Sequence, residues 1–439
     1  MRCHSDVNFL VASMSRFASR KSVALVFGVA AAFYCAAMAI RLHTQWYDLD
    51  FSHYYCWALA LRTGIDPYTA DLVPMAARLG LKTGAFRANY PPTFLLCFEP
   101  LTLLRPEVAY WIWTGFNFIL LLASLATLFA GSGIGELEMV VLVALGIYYE
   151  PVSENFFWAQ AQIILLLLLA LNFRWARAGR DMAAGLALAA AVLLKAFPLI
   201  LLLHFALARR TRVVVWTLVG IAAGGIITLL ILGPVAFEFL HPGTTTSDMW
   251  WKSGLAVSAS ITRIFFAVFG VPLSLGANLA RIALISAAVI WCMGLGTRAT
   301  IVSSRRGRND AAYGLWVVLT VFIFPISWIH HMVLLLLLFA QVVLDAHEGN
   351  ASGSVPTLAI GSYAVAEIAL PLFWIYWLTW YIPLLPVSAA IAQVSGVLAF
   401  WAAYRLAIPS RSLAREPADC GPQKLNDSQA ARSKRLYSW

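Results

Sequence analysis

Charge is what this 439-residue chain has least of. Asp, Glu, Lys and Arg make up 12% of it, about half the share found in a soluble domain. With 61% hydrophobic residues and a mean hydropathy of +0.78, a soluble globular protein is excluded. Acidic residues are the scarcer sign, 21 against 31 basic ones, which leaves a net charge of +10. Such an excess could serve nucleic acid, but the basic residues stand in short clusters between apolar runs, the arrangement that orients membrane proteins. Nucleic acid is therefore not an expected partner. The six cysteines, Cys3, Cys35, Cys56, Cys97, Cys292 and Cys420, show no CxxC pairs and no zinc spacing, so neither a metal site nor a disulfide framework follows. Only Cys56 and Cys97 could share an oxidising compartment. No acidic cluster suited to a divalent cation, fixed-period repeat or low-complexity tract stands out.

What is present is a succession of apolar runs. Residues 22 to 42 are long enough to cross a hydrocarbon core of about 30 Å and follow Arg16, Arg20 and Lys21. A cleaved signal peptide also opens with positive charge, but this run is long for one and lacks a clear small-residue cleavage site, so it reads as a retained anchor. The basic clusters at the amino terminus, Arg174/Arg177/Arg180, Arg209/Arg210/Arg212, Arg298 with Arg305/Arg306/Arg308, and Arg432/Lys434/Arg435 all belong on the cytoplasmic side by this rule. The reading is an all-α polytopic membrane protein of about twelve crossings, with a cytoplasmic segment 1–21, a transmembrane domain 22–407 and a basic tail 408–439. A long first outer loop, 43–107, carries interfacial helices, and Thr93 to Leu104 is too short to span. A second outer region covers 236–274 and holds Trp250, Trp251, Lys252 and Arg263.

Three interruptions carry polar groups. A hairpin of 139–151 and 160–173 has Glu150-Pro151-Val152-Ser153-Glu154-Asn155 at its apex. Between Arg180 and Arg209 a single helix would put a basic cluster on each side of the membrane; two short helices turning at Lys195 to Pro198 keep both inside. The stretch 311–343 repeats that logic around Phe324-Pro325-Ile326-Ser327-Trp328-Ile329-His330-His331. An ionisable group at membrane depth is costly and usually marks a site. Asp50, or alternatively Asp48, is the candidate catalytic base. Lys195, His330, His331 and Arg263 are candidates for a donor phosphate, and Tyr54, Tyr90 and Gln160 for substrate contact. An anionic base facing several cations suits transfer from a phosphate leaving group, whose charge grows as its bond to a sugar breaks. Each residue also has a plainer role open to it. Either aspartate can cap an interfacial helix, Lys195 can snorkel, and the histidines can be neutral and bonded to backbone. Asp66-Pro67 reads first as a turn, and Gln160 and Gln162 can simply bond between helices.

At these residues the chain resembles glycosyltransferase family 87 of the GT-C superfamily. The resemblance rests on Asp50-Phe51, Tyr54-Tyr55, Gly64-Ile65-Asp66-Pro67-Tyr68, Tyr90-Pro91-Pro92, Gly185 through Lys195-Ala196-Phe197-Pro198, and Trp328 with His330-His331. Where the family usually shows Gly-Gln-x-Asn, this chain reads Ala159-Gln160-Ala161-Gln162. The resemblance implies a GT-C fold with a cavity open to the outer leaflet of the plasma membrane. It also implies inverting transfer of a mannose-like hexose from a polyprenyl-phosphate donor to a glycolipid or glycan acceptor, without metal or other cofactor. By position it makes Asp50 the catalytic aspartate of the first outer loop. A transporter or lipid flippase is the competing reading, because broken helices with charged apices also build transport sites.

Overall fold

The computed structural model describes residues 29, 36, 39, 40, 43, 50–81, 87–240, 254–325, 327–351, 353–379 and 384–408. Asp48, Trp250, Trp251, Lys252 and most of the first apolar run lie outside the described residues, as do Cys3, Cys35 and Cys420. The described elements are helical. Among the described residues five helices are long and apolar enough to cross a membrane: Pro106–Phe129, Thr211–Leu232, Leu275–Arg305, Ile329–His347 and Val387–Ala407. The protein is accordingly a polytopic membrane protein. Shorter apolar helices, 10 to 17 residues, include Asp181–Leu194, Phe197–Leu207 and Tyr313–Ile323.

Those short helices are halves of reversals, and their neighbours establish this. Gly185 packs on Val213 and Trp216, Gly220 on Ala189, and Gly224 on Leu193. Contact positions therefore advance together, so Asp181–Leu194 and Thr211–Leu232 run parallel. Two parallel neighbours in sequence require a return between them, and Phe197–Leu207 supplies it, leaving Lys195 at the turn. The pair Tyr313–Ile323 and Leu335–His347 is antiparallel: the Gly314 amide donates to Gln341 Oε1 at 2.9 Å, and Gln341 Nε2 reaches back to the Asp310 carbonyl at 3.0 Å. Its far end is the 324–331 interruption.

Opposite the two turns, helix ends are tied by charge. Arg177 meets Asp310 at 3.2 Å and Glu348 at 2.7 Å, and Arg308 meets Asp345 at 3.3 Å. Arg210 pairs with Asp181 and donates to the Ala176 carbonyl at 2.8 Å. Among the described residues, Arg177, Arg210 and Arg308, one from each of three basic clusters, thus share one end of the helical body, as a common orientation requires.

One detail differs from the sequence reading. Glu150 to Asn155 is not an open apex but part of a helix, Glu150–Phe157, because Pro151 sits in its first turn, where a missing N–H costs nothing. The chain turns instead at 158–161. The pairing of Cys56 with Cys97, left open by the sequence, does not occur: both are free thiols, one buried and one exposed.

Candidate functional site

The helix Asp50–Arg62 is anchored by aromatic packing rather than by a helical stripe. Phe51 meets Phe98 at 5.8 Å and Tyr110 at 5.3 Å between ring centroids, and Tyr54 meets Phe94 at 5.0 Å. Edge-to-face geometry of this kind fixes ring angles as well as burying area. Tyr55 adds a hydrogen bond to the Leu104 carbonyl at 2.7 Å. The first turn of the helix is thereby held against the end of the body where both reversals turn.

Asp50 is engaged from two directions. Gln160 Nε2 donates to Oδ2, and His53, one turn along the same helix, lies with Nδ1 3.3 Å from Oδ1. The Asp50 side chain is still 32% exposed, so a substrate hydroxyl can reach it. Gln160 Oε1 in turn accepts from Tyr54 at 2.9 Å and Tyr90 at 3.1 Å, and the two phenol oxygens are 2.7 Å apart. Lys195 Nζ donates to Tyr90 Oη at 2.7 Å. Donors therefore run in one sense from ammonium through phenol and amide to carboxylate. Burial, then the neighbouring phenol, pushes Tyr54 well up, and burial pushes Tyr90 up as well, so both remain protonated donors.

The histidines border this chain without being bonded into it. Phe197, two residues past Lys195, packs on His331 at 5.5 Å and on Phe324 at 5.2 Å, which locks the two turns together. Lys195 lies within electrostatic reach of Asp50, His330 and His331. Asn155 Nδ2 donates to the His330 carbonyl at 2.7 Å, joining the third turn to the second. Arg263 is not among the partners of these hydrogen bonds. Its guanidinium donates to the Gly254 carbonyl at 2.8 Å and lies 3.4 Å from Ser260 Oγ, both in its own stretch.

His53 is absent from the sequence reading, and Gln162 enters it only as a residue that can bond between helices. His53 was legible as an Asp-x-x-His spacing, which puts both side chains on one helix face. Gln162 does bond between helices, its amide 3.1 Å from His331 Nε2, but that partner was not legible, because 169 residues separate them. The departure at Ala159 also acquires a meaning: its φ is +51°, in the left-handed region that favours glycine. Trp113 Nε1 holds that backbone by donating to the Ala159 carbonyl at 2.8 Å, and the Gln160 amide bonds the Asn155 carbonyl at 2.8 Å. Gln160 is aimed at Asp50 by this turn.

No solved structure matches the chain. Among curated proteins it is 24% identical, over 272 residues, to a polyprenol-phosphate-mannose-dependent alpha-(1-2)-phosphatidylinositol mannoside mannosyltransferase of Mycobacterium tuberculosis (strain ATCC 25618 / H37Rv). That match covers 56% of this chain and 60% of the relative. The profile of glycosyltransferase family 87 matches residues 89–325, more than half of the chain, and takes in Tyr90, Gln160 and Lys195. With that match and a membrane-spanning helical body, the chain belongs to glycosyltransferase family 87.

Proposed function

We propose that the protein moves a mannose-like hexose from a polyprenyl-phosphate donor to a hydroxyl of a glycolipid or glycan acceptor, with inversion, at the outer face of the plasma membrane. The observation that carries this reading is the chain of donors from Lys195 through Tyr90 and Gln160 to Asp50. It keeps an anionic base and a cation at one end of the helical body, both fixed before substrate arrives. The donor preference draws on the mycobacterial relative, whose name states dependence on polyprenol-phosphate-mannose.

In the proposed step the acceptor oxygen attacks the sugar C1 from the face opposite the phosphate. Asp50 takes the hydroxyl proton, the bond from C1 to the acceptor oxygen forms, and the bond from C1 to the phosphate oxygen breaks. Polyprenyl phosphate leaves with one more negative charge on its headgroup, and Lys195 is placed to offset it. The leaving group needs no proton, because a phosphate is already stable as an anion. Tyr54, Tyr90 and Gln160 hold the geometry and are expected to rearrange around the sugar, since their mutual hydrogen bonds occupy the polar atoms a sugar would use.

The test is transfer from radiolabelled polyprenyl-phosphate mannose in membranes holding Asp50→Asn. The variant keeps the side chain's shape but accepts no proton, so transfer should fall by a factor of about 10² to 10⁴ with normal insertion and donor binding. Transfer near the wild-type rate would remove Asp50 from the role of base. Movement of the lipid across the bilayer without sugar transfer would favour a flippase instead.

A further inference from the structure

The geometry points to a division of labour between two adjacent histidines: His331 is a positioning residue locked as its neutral Nε2–H tautomer by Trp328 and Gln162, and His330 is the imidazole that meets the donor phosphate. This rests on the glycosyltransferase reading above. The Trp328 backbone N–H donates to His331 Nδ1 at 3.1 Å. A ring nitrogen that accepts a hydrogen bond carries a lone pair, so the proton of the neutral ring sits on Nε2. That nitrogen faces the Gln162 amide at 3.1 Å. With N–H on the ring, the amide must present Oε1; which amide atom faces a partner is decided by the hydrogen-bond network. Gln162 is fully buried.

Both His331 nitrogens are then occupied. Taking up a second proton would expel the Trp328 N–H, and no donor is left over for a phosphate oxygen. What remains to the ring is packing: it meets Phe197 at 5.5 Å and 57° and stacks on His330 at 4.5 Å and 30°. His330 differs in the relevant respect. Among the described residues nothing hydrogen-bonds its ring nitrogens, while Asn155 Nδ2 fixes its carbonyl at 2.7 Å. A locked ring beneath a ring with free nitrogens is a platform that aims the second imidazole. The position where the family usually carries Asn is, in this chain, the Gln162 that closes the lock.

The experiment uses the full chain in lipid nanodiscs with ring-¹⁵N histidine, the His331 signals being assigned from His331→Phe among the eight histidines. The lock requires protonated Nε2 and unprotonated Nδ1 at His331, unchanged from about pH 5 to about pH 8. An Nδ1–H tautomer, or titration to imidazolium in that window, overturns it. This arm needs no sugar transfer, so it stands apart from the proposed activity. In the kinetic arm, His330→Ala should raise the KM for polyprenyl-phosphate mannose about tenfold or more, the loss of one charge-assisted contact. Gln162→Leu should lower kcat with little change in that KM and broaden the His331 tautomer signal. Gln162→Glu, which keeps an acceptor oxygen, should restore the single tautomer. A donor KM raised by His331→Phe but not by His330→Ala would reverse the two roles.

Discussion

At the scale of single residues, Lys195 and Ala159 show how position in the chain decides what a side chain meets. Lys195 sits in the 195–196 break rather than inside a helix, and its ammonium is spent on Tyr90 at 2.7 Å. Lys195→Met should weaken use of the donor by about tenfold to a hundredfold, the value of a charged hydrogen bond to phosphate. Lys195→Arg should recover only part of this, because a planar fork does not occupy the place of a point charge. Wild-type KM and kcat in Lys195→Met would take the residue out of the site. Ala159 makes a different point: its methyl is buried in the cluster around Tyr54 and Trp113, but its backbone is held in a left-handed turn. That conformation costs an L-residue about 1 to 2 kcal/mol, partly offset in a glycine variant by the larger entropy of the unfolded chain. Ala159→Gly should therefore raise the thermal midpoint modestly, by up to about 1 kcal/mol of stability, with transfer retained. A lower midpoint would mean that the alanine methyl contributes packing larger than the strain.

At the scale of elements, the decisive feature is that short helices are broken where polar groups are needed. Gly185 permits one such arrangement. A Cβ there would lie 2.7 Å from the Val213 carbonyl oxygen and 3.0 Å from the Thr217 amide nitrogen. These are backbone atoms, so Gly185→Ala must push Asp181–Leu194 away from Thr211–Leu232, and overpacking of this kind costs about 1 to 3 kcal/mol. It should also displace Lys195, ten residues along the same helix axis. Gly225→Ala is the matched control, since nothing lies within 4 Å of its added methyl, and it should be neutral or stabilising by a few tenths of a kcal/mol up to about 1. Melting curves of the two purified variants separate the effects, and equal midpoints would show that the helices can separate at no cost. The sequence reading found the break at Lys195 from charge alone, because basic flanks on both sides forbid a single crossing. It misread 150–155, where a proline that starts a helix looks, in one dimension, like a proline that ends one.

At the scale of the whole molecule, the pairing of Arg177, Arg210 and Arg308 with carboxylates at one end, and the turns at the other, sets a testable polarity. In a background with its native cysteines replaced, Thr63→Cys should react with an impermeant thiol reagent in intact cells, while Arg306→Cys should react only after permeabilisation. The reverse pattern would place Lys195 and Asp50 on the cytoplasmic side and remove the outer-face step. Composition, apolar run length and basic flanks by themselves determined a polytopic helical membrane protein, its broken helices and the candidacy of Asp50 and Lys195, because a bilayer imposes its constraints locally along the chain. Which candidates meet was decided only in three dimensions. Gln160 reaches Asp50 across 110 positions and Tyr90 reaches Lys195 across 105. Such pairings depend on the packing of separate helices, and neither charge nor periodicity along one helix records which neighbour it will have.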